Sequence, residues 1–286
     1  MTRTVTVMCA LAAMTMGHSV IAQVATFATR LEAVRVDVLV TDGGGIVRGL
    51  RAGDFDVIDN EVPQQVDLVS FEELPVDVIL ALDMSDSMKG ERLDHLRSAG
   101  RAVLDGLRSG DQAALLAFSH MVILPQGVTG DLARVRAALD IVHAGGQTAL
   151  VDGSYAALML GGTGIGRDLL LVFSDGADTA SFLTPARVLE AARRSNVTVY
   201  AVSLRNSGRT SFLRELTAQT GGKVVEFDST TDLKQIFVTL LDEFRQRYLV
   251  SYTPRGVSRD GWHKLQVRVK GRRATVTARA GYMAGS

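Results

Sequence analysis

The twelve residues VDVILALDMSDS (76–87) decide the fold, because they join a buried strand to a group of polar residues at its carboxyl end. Residues 78–82 are apolar at every position, which is typical of a parallel strand that helices cover on both faces. A second run of this kind, Leu169–Phe173, is followed by Ser174-Asp175-Gly176. In such sheets the carboxyl ends of the strands face the ligand crevice, so we expect the chemistry of the protein at this edge.

Strand and helix patterns alternate on either side of these two runs, over residues 76–245. The candidate strands are Val76–Leu82, Ala113–Phe118, Met121–Leu124, Leu169–Phe173, Val197–Val202 and Lys223–Phe227. The candidate helices are Arg92–Leu107, Leu132–Val142, Ala149–Leu160, Pro185–Arg194, Ser211–Gln219 and Asp232–Arg245. This alternation predicts an α/β domain with a doubly wound, mostly parallel sheet and right-handed crossovers.

The two flanks, residues 24–75 and 246–286, have the alternating pattern of half-buried β-strands instead. The first carries four Arg against ten Asp and Glu, whereas the second carries nine Arg and Lys against a single Asp. Neither flank has enough strands for a core of its own. We therefore expect them to pair into one small β-sandwich into which the α/β domain is inserted. The alternative is that each flank adds edge strands to a separate surface.

The composition excludes several classes of protein. The chain has 286 residues, of which 47% are hydrophobic, and its 31 basic residues balance its 31 acidic ones. A zero net charge gives no whole-chain electrostatic case for binding nucleic acid. Cys9 is the only cysteine, so neither a disulfide framework nor a thiolate zinc site can be built.

Residues 1–22 have the pattern of an export signal. Arg3 gives a positive start, residues 5–16 are apolar or small, and Val20-Ile21-Ala22 precedes the expected mature start at Gln23. The alternative is a membrane anchor, but twelve residues are too few to span a bilayer, and the remaining chain has no apolar run of spanning length. We expect an exported protein, periplasmic or secreted, with no transmembrane segment in the mature chain.

The polar residues at the carboxyl edge form a candidate site for a metal ion. The aspartate and the two serines after the first strand, the aspartate after the second, and a threonine in a glycine-containing loop all offer hard oxygen atoms. Such atoms suit Mg²⁺, Mn²⁺ or Ca²⁺ and are poor ligands for zinc. The candidate ligands are Asp83, Ser85, Ser87, Thr148 and Asp175. The alternative for the serines is N-capping of the helix that follows, ahead of Glu91.

At these residues the chain resembles the von Willebrand factor type A family and its metal-ion-dependent adhesion site. The family pattern Asp-x-Ser-x-Ser, a loop Thr and an Asp after a buried strand occurs here in order, within residues 76–245. The flanks, with Gly49-Leu50 before and Gly281-Tyr282 after, resemble those of exported bacterial members. The resemblance implies that Ser85 and Ser87 bind the metal directly, that Thr148 binds directly or through water, and that the two aspartates act largely through water.

By the same resemblance, the protein is expected to be a non-enzymatic, Mg²⁺-dependent adhesion module, with Mn²⁺ or Ca²⁺ as other possible ions. An Asp or Glu of a protein partner would take the open coordination position. The sequence departs from the family at Asp86, where many members have Gly between the two serines. Asp tolerates the turn conformations of Gly, but its carboxylate could tighten the metal and weaken an acidic ligand.

Other chemistries fit less well. A metal-dependent phosphohydrolase with Asp83 as nucleophile would need a second Asp two residues on, where this chain has Ser85. A serine hydrolase lacks its Gly-x-Ser-x-Gly elbow and a histidine in a suitable motif. An envelope module with a vestigial site remains open. The basic C-terminal residues could bind an envelope polyanion, although a solvated strand face is the commoner meaning of such a run: Arg268, Lys270, Arg272, Arg273 and Arg279.

Overall fold

The computed structural model describes residues 33–71, 74–163, 166–175, 177–205 and 211–285; the proposed export signal lies outside these residues. The strands are β1 (Val34–Asp42), β2 (Gly45–Ile46), β3 (Phe55–Asp59), β4 (Val62–Gln64), β5 (Val66–Phe71), β6 (Val76–Asp83), β7 (Gln112–Phe118), β8 (Val122–Thr129), β9 (Arg167–Ser174), β10 (Thr198–Leu204), β11 (Val224–Phe227), β12 (Tyr248–Tyr252), β13 (Gly261–Val269), β14 (Thr275–Thr277) and β15 (Gly281–Ala284). The α-helices are α1 (Glu91–Asp105), α2 (Leu132–Ile141), α3 (Leu150–Leu158), α4 (Pro185–Arg194), α5 (Ser211–Thr220) and α6 (Leu233–Arg245).

Six strands form the central sheet in the order β11-β10-β9-β6-β7-β8, and all pairs but β7–β8 are parallel. Every residue of β6 and β9 is buried, because α1, α2 and α6 cover one face of the sheet and α3, α4 and α5 cover the other. The doubly wound, mostly parallel α/β fold is therefore confirmed. Strand β8 is antiparallel because only residues 119–121 connect it to β7, far fewer than a parallel crossover needs.

Two antiparallel sheets are built from both flanks of the chain. One has the order β14-β1-β12-β5, with β2 beside β1, and the other has the order β15-β13-β3-β4. Apolar side chains of the two sheets form one common core, which includes Val38, Val57 and Val250. The flanks thus pair with each other as a β-sandwich, and the alternative of separate edge strands is wrong. No helix among the described residues is long and apolar enough to cross a membrane.

Buried arginines join the sandwich to the central sheet. Arg167, the first residue of β9, donates from Nη1 to Asp37 Oδ1 of β1 at 2.8 Å. Arg279 donates to the carbonyl oxygen of Ser195 at 2.8 Å and to Asn196 Oδ1 at 2.7 Å, just after α4. The expectation that Arg279 belongs to a basic, solvated stretch is wrong: its side chain satisfies backbone groups at this junction and is buried.

Candidate functional site

The site begins at Asp83, which ends β6 at the carboxyl edge of the sheet. Its side chain is fully buried, and its Oδ1 accepts a hydrogen bond from the backbone N–H of Ser85 at 2.9 Å. Its Oδ2 accepts one from the Ser174 hydroxyl at 2.6 Å. Burial raises the pKa of Asp83 to about 6, although both of these residues oppose the shift by hydrogen bonding. Asp83 therefore ties together the ends of β6 and β9.

A chain of hydrogen bonds runs outward from this aspartate. The hydroxyls of Ser85 and Ser87 are 3.0 Å apart, and Ser87 donates to Asp175 Oδ1 at 2.7 Å. The side chain of Asp175 is 2% exposed, whereas Ser87 is exposed. Ser85, Ser87 and Asp175 thus present oxygen atoms to one another, with Ser87 at the surface and the other two buried. Asp83 lies behind them.

The loop that carries the predicted threonine is fastened to the loop after β6. Gly145 N–H donates to the carbonyl oxygen of Met84 at 2.8 Å, and Asp86 N–H donates to that of Gly146 at 2.9 Å. Gly146 has φ +84°, a left-handed conformation that favours glycine, and a side chain there would clash with His120. These two bonds fix the approach of the loop to the serines.

Thr148 follows in the same loop and is 6% exposed. Its backbone N–H donates to Thr179 Oγ1 at 3.0 Å, and its carbonyl oxygen accepts from Thr179 N–H at 2.8 Å. The structure therefore unites Asp83, Ser85, Ser87 and Asp175 in one hydrogen-bonded cluster and places Thr148 on the adjoining loop, outside that cluster.

Two further residues complete the cluster and were not among the predicted ligands. Arg92, in the first turn of α1, donates from Nη1 to Asp175 Oδ2 at 3.0 Å. Ser174 holds Asp83, as described above. The sequence gives no signal for Arg92, since a basic residue on a helix is usually solvated. Ser174 could have been found, because it directly precedes Asp175 at the end of an apolar strand.

Asp86, where the sequence departs from the family pattern, points to solvent and pairs with a neighbour. Its Oδ1 lies 2.6 Å from Lys89 Nζ. The hydrogen bond with Lys89 holds the pKa of Asp86 below its usual range, so the residue is charged. The lysine counters this extra negative charge beside the serines.

The structure also bears on the alternatives. The serines do not cap α1, because the N-cap position of that helix is Gly90. A nucleophilic role for Asp83 is disfavoured, since the carboxylate is fully buried and both of its oxygens accept hydrogen bonds. His263 is buried in the sandwich, where its Nδ1 lies 2.7 Å from Asp59 Oδ1.

The donor set suits a hard divalent cation. No group of three or more His, Cys, Asp or Glu among the described residues could hold a metal, so a carboxylate-rich or histidine-rich centre is not found there. The cluster instead combines two serine hydroxyls with carboxylate oxygens, the ligand types that Mg²⁺, Mn²⁺ and Ca²⁺ accept.

Fold and site together define an α/β protein with a cluster of hydroxyl and carboxylate oxygens at the carboxyl end of a mostly parallel sheet. The family model of the von Willebrand factor type A domain matches residues 77–239, more than half of the chain. The chain belongs to this family. Its domains are generally non-enzymatic modules that interact with other proteins, and commonly do so through a metal ion.

Relatives with this domain are distant in sequence. Human inter-alpha-trypsin inhibitor heavy chain H6 is 23% identical over 69% of this chain, but the match spans only 17% of the human protein. A von Willebrand factor type A structure from Catenulispora acidiphila has a TM-score of 0.53 at 14% identity and covers 86% of this chain and 76% of its own. Proximal thread matrix protein 1 from mussel byssus, solved with a zinc-occupied MIDAS motif, has a TM-score of 0.56 at 17% identity over 65% of this chain and 49% of its own.

Proposed function

We propose that this protein is an exported adhesion-type module that binds a protein partner through a divalent cation. The observation that carries the proposal is the continuous chain of oxygen atoms from Ser85 through Ser87 to Asp175, with Asp83 behind it. A helix cap or a packing cluster would not need these side chains to converge at the surface end of two buried strands. The proposed location, periplasmic or extracellular, rests on the sequence of residues 1–22.

Each ligand has a distinct role in this proposal. Ser85 and Ser87 would hold the cation directly, and Thr148 directly or through water. Asp83 and Asp175 would hold it largely through water, and their own hydrogen bonds would keep the hydroxyls in place. Because most direct ligands are neutral, the bound cation would keep net positive charge and a free position for the Asp or Glu of a partner. We propose Mg²⁺ as the cation, with Mn²⁺ and Ca²⁺ as alternatives.

Thermal unfolding of the purified protein, with EDTA and with Mg²⁺ or Mn²⁺, tests the cation site. A cation at about 100 times its dissociation constant that binds only the folded state adds about 2.7 kcal/mol. For a domain of this size, that raises the midpoint by roughly 5–10 °C. Ser87→Ala should abolish the rise. Ser258→Ala is the matched control, because Ser258 is an exposed serine of the sandwich whose hydroxyl hydrogen-bonds with Asp260 in its own turn.

Two results would redirect the proposal. Absence of a rise with either cation, in protein that unfolds cooperatively, would indicate a vestigial site. Mg²⁺-dependent hydrolysis of p-nitrophenyl phosphate that Asp83→Asn abolishes would instead support the phosphohydrolase.

A further inference from the structure

An apolar groove lies beside the oxygen cluster, between the β7–β8 turn and the loop that follows α2. It encloses about 410 Å³, within the roughly 300–1,000 Å³ of pockets that bind small ligands. Its lining includes Met84, Met121, Ile123, Val142, Gly145 and Gly146.

The groove and the candidate cation site are built from the same two loops. Met84 lies between Asp83 and Ser85, and its carbonyl oxygen accepts from Gly145 N–H at 2.8 Å. The carbonyl oxygen of Gly146 accepts from Asp86 N–H at 2.9 Å. Because the two sites share these loops, we expect a ligand group at the serines and a second group in the groove to belong to one short segment.

The groove also leaves large apolar side chains in water. Met121, in the β7–β8 turn, is 58% exposed, and Ile123, on the edge strand β8, is 48% exposed. Exposed apolar residues that adjoin one another beside a polar site are typical of surfaces that a partner covers. Covering them gains free energy that a carboxylate bound to a cation cannot supply by itself.

Charge favours an acidic partner at this surface. Among the described residues that line the groove there is no Asp or Glu, and the ionisable ones are His120 and His143. The nearest carboxylate on the loop after β6, Asp86, is paired with Lys89. A segment with an acidic residue meets no unpaired negative charge among these groups as it approaches.

We propose that the groove binds an apolar side chain of a protein segment whose neighbouring Asp or Glu completes the cation site. This inference rests on the proposed function and adds the class of partner: an extended, exposed peptide in which an acidic residue adjoins a branched aliphatic one. The cation would fix the carboxylate, and the groove would choose among acidic sequences by their flanking side chains.

Short peptides test this recognition on the full protein in saturating Mg²⁺, by NMR titration of methyl-labelled methionines. Acetylated, amidated Leu-Asp-Leu should bind about tenfold tighter than Gly-Asp-Gly, since burying one leucine is worth at least that factor. Leu-Asn-Leu should not bind. The signals of Met84 and Met121 should move, because both residues line the groove.

Two variants of the edge strand separate groove contacts from general surface effects. Ile123→Ser should reduce the tenfold preference to less than threefold. Leu124→Ser should leave it unchanged, because Leu124 is equally exposed at 48% but lies outside the groove lining. Neither residue contributes to the oxygen cluster, so both variants should retain the thermal stabilisation by Mg²⁺.

The outcomes distinguish failure of this inference from failure of the proposed function. If Mg²⁺ stabilises the protein but the Leu and Gly peptides bind equally, the groove proposal is overturned and the cation site stands. The groove proposal would also be overturned if Ile123→Ser and Leu124→Ser reduced the preference for the Leu peptide equally. A Mg²⁺-dependent dimer that Ile123→Ser disrupts would overturn it as well. If Mg²⁺ gives no stabilisation and no Asp peptide binds, the proposed function itself fails.

Discussion

Arg167 offers a sharp test of how the two parts of the molecule are joined. Besides its bond to Asp37, its guanidinium donates to the carbonyl oxygens of Arg247 at 3.0 Å and Phe244 at 3.1 Å. It also stacks over the Phe244 ring at 4.8 Å. The side chains of Arg167 and Asp37 are only 6% and 11% exposed. We predict that Arg167→Met strongly destabilises the fold, because the nearly buried Asp37 carboxylate loses its charged partner and the carbonyl oxygen of Arg247 loses this donor.

Arg167→Met should lower the free energy of unfolding by about 3–5 kcal/mol, the cost of losing one partner of a buried ion pair. Asp37→Asn should cost less, about 1–2 kcal/mol, because the amide oxygen still accepts a hydrogen bond. In the Asp37→Asn background, Arg167→Met no longer strands a charge. We therefore expect the two substitutions to be non-additive by about 1–3 kcal/mol.

Urea unfolding with two probes measures these free energies. Trp262 is the only tryptophan and lies on β13 with its ring beside Arg193 of α4, so its fluorescence follows the sandwich and its junction with the α/β domain, whereas far-UV circular dichroism follows the helices. Arg268→Met is the control, because Arg268 is exposed on the sandwich and should change stability by less than about 0.5 kcal/mol. If Arg167→Met lies within about 1 kcal/mol of the parent by both probes, the role of this pair in joining the two parts is refuted.

Three further predictions concern the site and the core. Arg92→Gln removes the positive charge that pairs with Asp175, so Mg²⁺ should bind a few-fold tighter in a titration at low salt, and added salt should shrink the gain. Burial raises the pKa of Asp168 to about 6, so the folded protein retains a proton that the unfolded chain releases near pH 4. The contribution of Asp168 to the free energy of unfolding should therefore fall as pH rises from about 4 to 6, by at most about 3 kcal/mol, and Asp168→Asn should make this slope shallower in urea titrations at several pH values. Gly146→Ala should destabilise the protein by about 1–3 kcal/mol and reduce its stabilisation by Mg²⁺ in thermal unfolding, because the residue is left-handed and its new methyl group would meet the His120 ring. The first argument is contradicted if Arg92→Gln leaves the Mg²⁺ affinity unchanged, and the second if Asp168→Asn leaves the pH slope unchanged. The third is contradicted if Gly146→Ala alters neither the stability nor the stabilisation by Mg²⁺.

The central sheet could be predicted because its strands carry their own signal. Val78–Leu82 and Leu169–Phe173 are apolar throughout, and burial on both faces is the simplest environment that demands such a run. Four of the predicted ligands follow the ends of β6 and β9. Because the carboxyl ends of parallel strands lie at the same edge of a sheet, these four could be predicted to lie close together. The strand at Met121–Leu124 was predicted too short: β8 continues to Thr129 through Pro125, which an edge strand tolerates.

The remaining features depend on contacts that composition does not record. A count of charges assigns Arg279 to a basic surface, yet it lies buried where carbonyl groups after α4 need donors. The other basic residues predicted with it, such as Arg268 and Lys270, are exposed, and Lys270 pairs with Asp56 of the acidic flank at 3.4 Å. Arg92 likewise could not be predicted as part of the site, because the carboxylate with which it pairs, Asp175, is 83 residues away in the chain.

The pairing of the flanks also fixes an order of events in time. Val34 of β1 lies opposite Tyr252 of β12, and Phe55 of β3 lies opposite Val269 of β13, so each first strand emerges from the ribosome more than 200 residues before its partner. At about 5–20 residues per second, that interval is roughly 10–40 s. Strand β11 ends 21 residues before β12 begins, so the whole central sheet precedes the last strands of the sandwich in the chain, and the sandwich cannot close until those strands arrive. The early strands can pair among themselves, as β1 does with β2 and β3 with β4, but we expect the sandwich to be the last part of the molecule to close.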